Sequence, residues 1–386
     1  MRIQQFRFEN KATGWQLAPL ALNGFNLLVG ASGVGKTLIL QSLMTLRNIA
    51  LGATSDGVSW EMTFQLGAHH VVWQGAFEHS GNTFQLGEIV EPAPSKEVIL
   101  QDEHLIIDGQ EIASRQGSTV FFQGKQLPIK LSSKTSVIKL MQEDELVGTI
   151  HSAFKNRIGE TTAEPTGKYQ QIVPLLVKEY TDIDAIRENN FDSLTRFALA
   201  HENAPAVFEE ITDTFKAVFP RVEDLKLQLK PSTRVQVRLG NYPAVKATEI
   251  AVYFKEKDVD HWLHKDQMSS GMWKTLMVLA DHHLCPNESV LLVDEFENSL
   301  GVNCIDIIGD LDTTERGLQY IMTSHHPYII NTVPISRWKI VTRHGSQVTV
   351  KPPEAFKLGR SKHEAFMQLM QLEAFTKGIA QVSAFS

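Results

Sequence analysis

Two stretches carry side chains suited to handling a polyphosphate. Gly30-Ala31-Ser32-Gly33-Val34-Gly35-Lys36-Thr37 fits G-x-x-x-x-G-K-[ST] in full. In that pattern the glycines let backbone N–H groups curl around a phosphate, and the following helix adds favourable partial charge at its N-terminus. Lys36 then reaches the β- and γ-phosphates, and the Thr37 hydroxyl is a ligand for Mg²⁺. The second stretch, Val290-Leu-Leu-Val-Asp294-Glu295, is an apolar run ending in two acids. An aspartate so placed holds Mg²⁺ through water, and the neighbouring Glu295 polarises an attacking water as general base. Alone, such a run is often just a strand end meeting solvent. A complete phosphate loop in the same chain favours the catalytic reading.

Two further stretches gain meaning from these. Met268-Ser269-Ser270-Gly271-Met-Trp-Lys-Thr-Leu276 puts serine and glycine at a helix start, a second phosphate-binding element or an ordinary N-cap by Ser269 or Ser270. Tyr320-Ile-Met-Thr-Ser-His325-His326-Pro327 is a strand ending in histidines, and a histidine there can hydrogen-bond a γ-phosphate. The adjacent histidines also suggest a metal, but no third ligand with suitable spacing accompanies them.

These residues need elements to position them. Ile3–Phe8 alternates as a strand, Phe25–Val29 is a buried apolar strand, and Thr37–Ala50 has helical apolar spacing. From Ser59 to Leu131 short alternating runs with Gly or Asn turns indicate antiparallel strands. Helical periodicity runs from about Ser136 to Phe219, broken by a loop at 159–167. Strands are expected at Arg234–Leu239 and Glu249–Phe254, then a helix from Ser270, the acidic strand, a helix at Cys304–Leu311 and a strand at Tyr320–Thr323. A hairpin at Trp338–Val350 and a helix at Lys362–Phe375 end the chain. The fold class is α/β, with phosphate motifs at both ends of the chain and a long insertion between them.

At 386 residues and 42% hydrophobic, the chain can build a large core. A net charge of −7 makes any nucleic-acid contact a local matter, and Lys125, Lys130, Lys134 and Lys139, or Lys226, Lys230, Arg234 and Arg238, are the candidate patches. Solvated faces are the plainer reading of both. Cys285 and Cys304 lack metal or disulfide spacing and read as small buried hydrophobes. No signal peptide and no apolar run of membrane-spanning length is visible, so an intracellular, cytoplasmic protein without membrane contact is expected.

The order P-loop, Ser-Ser-Gly, Asp-Glu strand and Thr-Ser-His-His-Pro strand resembles ABC-type ATPases of the SMC, RecF and OLD branch. It looks most like the compact stand-alone ATPases of anti-phage systems, the PtuA type of Septu and the AriA type of PARIS. The resemblance covers about 1–51 and 231–345. It implies an ABC-type P-loop core in two parts, 1–58 and 231–386, with an antiparallel β subdomain at 59–135 and an inserted helical lobe at 136–230. It also implies that Ser269 and Gly271 act as signature residues on ATP held by a second subunit. His325 would then be the switch histidine and Glu297–Leu300 a dimer-contact loop. A metal-facing glutamine is implied too, for which Gln142 is the candidate and Gln123 and Gln126 are rivals. Ala31-Ser32 stands where Pro-Asn is usual, Ser270 and Met272 where Gly and Gln or Glu are common, and Phe296 where Pro is. None of these removes a group the chemistry needs.

ATP and Mg²⁺ are the implied cofactors. Three functions follow: an ATP-dependent dimeric switch, or a higher oligomer, controlling a separately encoded effector in anti-phage defence; a RecF/SMC-like ATPase binding DNA directly; or a transporter subunit. The long interval between Lys36 and Ser269 argues against the last. After His326 no acidic nuclease cluster is evident, so nuclease chemistry is expected to belong to another protein.

Overall fold

The computed structural model describes residues 1–81, 97–128, 130–161, 169–237, 244–296, 316–359 and 361–376. Contacts divide the chain into two units: 1–159 with 288–294 and 313–386, and 160–287 with 295–312.

The first unit is built on one long mixed sheet. Strands β1 (Arg2–Asn10), β2 (Trp15–Ala21) and β3 (Phe25–Val29) open it, and helix α1 (Lys36–Ala50) follows. Every residue of β3 is buried, as a strand with neighbours on both edges and covered faces must be. Helix α1 buries Ile39, Leu40, Leu43, Leu46 and Ile49, an apolar stripe at helical spacing. The antiparallel run β4 (Val58–Leu66), β5 (His69–Phe77), β6 (Leu100–Ile107), β7 (Gln110–Gln116), β8 (Thr119–Phe122) and β9 (Lys125–Gln126) extends the same sheet, because β4 pairs with β1 from Arg2↔Gln65 to Asn10↔Val58. Alternation in β4 buries Val58, Trp60, Met62, Phe64 and Leu66 on one face.

Short helix α2 (Val137–Leu140) and helix α3 (Glu145–Arg157) belong to this unit. Phe154 of α3 packs edge-on against Phe64 and Trp73, at 5.6 and 5.1 Å between centroids. The arm's apolar face thus takes its cover from the start of the expected helical lobe. Glu103, wholly buried, accepts from Trp73 Nε1, Ser136 Oγ and the Val137 amide, tying β6 to the start of α2.

The sheet continues through β10 (Ile158–Glu160) and closes with strands from the far end of the chain. They are β14 (Val290–Val293), β15 (Gln319–Ser324), β16 (Trp338–His344) and β17 (Gln347–Lys351). The order is β10-β14-β15-β3-β16-β17-β2-β1-β4-β5-β6-β7-β8-β9. β14, β15, β3 and β16 run parallel, so their C-terminal ends share one edge.

The second unit holds helices α4 (Val173–Glu179), α5 (Ile183–Arg187), α6 (Ser193–Asn203), α7 (Pro205–Val218) and α8 (Ser270–Leu284). A second sheet, β11 (Val222–Val237), β12 (Val245–Glu256) and β13 (Leu263–His264), packs with them around Phe197, Phe215, Phe254, Leu276 and Leu279. Strand β11 starts earlier than the expected Arg234, and both long strands cluster with the helices and not with the sheet of the first unit. The reason is visible in the core-facing Leu225, Leu227, Val252 and Phe254, which need the helices' apolar stripes as cover. Cys285 is buried. The loop expected at 159–167 begins as strand, since Gly159 and Glu160 belong to β10, and its residues 162–167 lie outside the described residues, as do the loop expected at 297–300 and the helix expected at Cys304–Leu311.

Candidate functional site

The phosphate loop joins β3 to α1 with a backbone only glycine permits at two points. A Cβ on Gly30 would sit 2.6 Å from the Val341 carbonyl oxygen of β16, and Gly35 holds φ at +105°. Gly35 is the N-cap of α1 and no side chain caps that helix end. The first-turn N–H groups therefore face the loop, which is what an anion site at a helix N-terminus requires. Ala31 is half-buried, Ser32 and Gly33 are exposed, and Val34 is buried beneath the loop. The Lys36 ammonium donates to the Gly30 and Ala31 carbonyls, each at 2.9 Å.

The acidic strand ends beside this loop because β14, β15 and β3 are parallel neighbours with Val293 opposite Met322 and Ser324 opposite Val29. Asp294 is brought to Thr37: the threonine hydroxyl donates to Oδ1 at 3.2 Å. Thr323 Oγ1 donates to the same oxygen at 2.6 Å. Sequence reasoning overlooked Thr323, although its place two residues before His325 was the available signal. The hydroxyl of Thr37 and the carboxylate of Asp294 are hard oxygen donors of the kind Mg²⁺ takes, so this pair fits that ion.

Glu295, next in the chain, is exposed and has φ at +43°, a left-handed conformation uncommon outside glycine. Its carbonyl accepts from the Lys274 ammonium of α8 at 3.0 Å. His325 and His326 are exposed just past β15, with the His326 amide donating to Ser324 Oγ at 3.1 Å. Among the described residues no group of three His, Cys, Asp or Glu is arranged to hold a metal.

Ser269 is the N-cap of α8 and its Oγ accepts from the Met272 amide at 3.2 Å. Capping uses the oxygen as acceptor and leaves the hydroxyl a donor, so the cap and the phosphate contact are compatible. Gly271 opens the same helix, and its carbonyl accepts from Thr275. Gln142 lies in the turn between α2 and α3, where its side-chain oxygen accepts from Lys139 Nζ at 2.7 Å. The structure does not join it to Thr37 or Asp294. The rivals Gln123 and Gln126 are exposed in the β8–β9 hairpin.

Beside α1 is a cavity of about 320 Å³, lined by Asn10, Thr13, Trp15, Leu38, Gln41 and Arg343 among others. Its volume is at the lower end of small-molecule sites. Trp15 is 6% exposed and its Nε1 has no hydrogen-bond partner among the described residues. That nitrogen lies 3.5 Å from where a Cβ on Gly35 would be, so an unused buried donor borders the phosphate loop.

Of the two basic stretches, Lys134 pairs with Glu97. Lys226 lies over the Trp262 ring at 4.2 Å and Lys230 over that of Tyr253 at 4.9 Å. The Arg234 side chain and Arg238 lie outside the described residues.

Residues 171–331 match the family described as "AAA domain, putative AbiEii toxin, Type IV TA system". The matched span holds the Ser269 helix start, the acidic strand and His325, and leaves Gly30–Thr37 outside. No curated protein matches the sequence. Among solved structures, an SMC head bound to the C-winged helix domain of ScpA is similar over 93% of this chain and all of its own, at 12% identity and a TM-score of 0.50. An SMC head domain from Thermotoga maritima matches at 11% identity over 91% of this chain and 99% of its own, with a TM-score of 0.43. One with an extended coiled coil, bound to the C-terminal domain of ScpA derived from Pyrococcus furiosus, matches at 11% over 92% and 98%, with a TM-score of 0.46. The fold is that of an SMC-head P-loop protein. The likeness to the first of these is one of fold, and the family match covers 171–331 alone.

Among the described residues, no helix is long and apolar enough to cross a membrane.

Proposed function

We propose that this protein binds Mg-ATP and hydrolyses it to ADP and phosphate as an ATP-dependent homodimer or higher oligomer. The observation carrying the reading is the joint setting of Lys36 and Asp294. The ammonium donates inside the loop to the Gly30 and Ala31 carbonyls among its partners, and the carboxylate is bonded to the Thr37 hydroxyl. Phosphate oxygens offer that ammonium charge-assisted acceptors, which are stronger than peptide carbonyls. Mg²⁺, when bound, neutralises charge developing on the phosphates, with Thr37 and Asp294 as its protein donors and Gln142 as a further candidate.

The chain's own steps follow. Backbone N–H groups of Gly30–Thr37 and Lys36 orient the polyphosphate. Glu295 takes a proton from water as its oxygen bonds to the γ-phosphorus and the bond to the ADP oxygen breaks. His325 senses the γ-phosphate. Ser269 and Gly271 complete the site of a second subunit. The cavity beside α1 suits the nucleoside, with Trp15 Nε1 as donor.

The wider role is a cytoplasmic switch acting on a separately encoded effector in anti-phage defence, in the manner of the Septu and PARIS ATPases. The matched family's description, which pairs an AAA domain with a toxin–antitoxin system, supports a two-component arrangement. Calorimetry with Lys36→Ala tests the core of the reading: Mg-ATP binding is lost, and wild-type affinity would overturn it. Phage challenge of cells carrying the whole locus tests the role, since Lys36→Ala should abolish protection.

A second reading, direct DNA binding, is favoured by Lys226 and Lys230 lying beside Tyr253 and Trp262. Its signature is affinity that falls steeply with salt.

A further inference from the structure

Lys274 is 8% exposed, and its Nζ donates to the carbonyl of Glu295 at 3.0 Å. A lysine is rarely buried without a specific acceptor, because its ammonium must give up water. The acceptor here belongs to a residue in left-handed backbone, at φ +43°. Such a conformation persists in a non-glycine residue only when its surroundings hold it. Among the described residues, Phe296, next in the chain, is buried, and Lys274 bonds the intervening carbonyl. The Glu295 side chain leaves the same Cα, so its direction is set by the same backbone.

Lys274 also lies on α8, the helix capped by Ser269. Five residues separate the two, about one and a half turns of a rigid helix. The hydrogen bond from Lys274 thus connects the helix that Ser269 caps to the Glu295 backbone.

We propose that Lys274 is a positioning residue: it holds Glu295 in its left-handed conformation and links the Ser269 end of α8 to the orientation of that carboxylate. This rests on the reading of Glu295 as general base. In mechanistic terms, Ser269 engaging a phosphate adjusts Glu295 through α8 and one hydrogen bond.

Steady-state turnover and Mg-ATP affinity are measured for Lys274→Met, Lys274→Arg and each in a Glu295→Gln background. Lys274→Met should lower kcat about 10-fold or more while leaving nucleotide affinity near wild type, since positioning loss falls on the chemical step. Lys274→Arg, which keeps a donor, should recover most of the rate. In the Glu295→Gln background Lys274→Met should lower turnover no further, because both changes act through one group. Should Lys274→Met fail to fold, Lys274→Gln takes its place with the same expectations. Wild-type kcat in the folded variant, or an equal loss in the Glu295→Gln background, would overturn the proposal. Full turnover by Glu295→Gln alone would instead overturn the general-base reading, which keeps the two failures distinct.

Discussion

Thr323 Oγ1 lies 2.6 Å from Asp294 Oδ1, closer than Thr37 Oγ1 at 3.2 Å to the same oxygen. The carboxylate thus spans two elements at once, the first turn of α1 and the end of β15. Thr323 precedes His325 by two residues, so the strand bearing the candidate switch histidine is fastened to the acid at the loop.

Replacing that hydroxyl isolates its contribution. Thr323→Val keeps the shape and removes one bond to a charged acceptor, worth about 1.5–3 kcal/mol. Urea unfolding should show a loss of that order, and turnover should fall more than Mg-ATP affinity. Unchanged unfolding and turnover would contradict the fastening role.

Glu295→Gln should bind Mg-ATP normally and hydrolyse it about 10²–10⁴-fold more slowly. Because closure then no longer leads to products, an ATP-bound assembly should accumulate in light scattering. If turnover is unaffected, His325 is the next residue to test as base.

Trp15→Phe keeps an aromatic ring, smaller than the indole, and deletes its unpartnered donor. Stability should fall by about 1 kcal/mol or more for the volume lost, and nucleotide affinity of the folded variant should fall by roughly 5- to 30-fold, the equivalent of one hydrogen bond of about 1–2 kcal/mol. Calorimetry giving equal affinities would remove Trp15 from the site.

Action of Ser269 across subunits is open to complementation. Lys36→Ala and Ser269→Arg homodimers should both be inactive. In a mixed dimer one intact P-loop faces one intact signature, and random 1:1 mixing makes roughly a quarter of all sites wild type. ATPase activity should therefore reappear on mixing. Mixing that restores neither turnover nor ATP-dependent association, with both variants folded, rules out the arrangement.

Asp281 of α8 offers a pH test. Burial holds its carboxyl above the usual range, opposed by hydrogen bonds from Ser193 and Thr161 and by the Arg196 charge. Between the ordinary value of 3.8 and the raised one, the folded protein binds more protons than the unfolded chain, so stability falls as pH rises through that interval and stays level above it. Asp281→Asn escapes this loss. The difference in Tm should move in favour of the variant across the interval, and a constant difference would refute the burial argument.

What was legible in the sequence is what local pattern encodes. The P-loop, the acidic strand and the Ser269 helix are contiguous, and their flanking periodicity places them without knowledge of contacts. The place of α3 in the first unit is not legible that way, because helical spacing shows that Phe154 is buried but not that Phe64 and Trp73 pack against it. The same holds for Thr323, Lys274 and Trp15. Each looks ordinary in sequence, and its part emerges only from a partner outside its own element, some twenty to thirty residues away: Asp294, Glu295 and the loop at Gly35. Gln142 shows the converse, since its place at a junction was readable while its bond to Lys139 was not.

Strand β3 is flanked by β15 and β16, which follow it only after some three quarters of the chain. On a ribosome adding about 5–20 residues per second, those partners arrive roughly 15–60 s after β3 itself. For that time a strand that is apolar but for Asn26 has neither of its hydrogen-bonding neighbours. Synthesis of this protein should accordingly depend on a holding chaperone, and slowing elongation should lower the soluble yield.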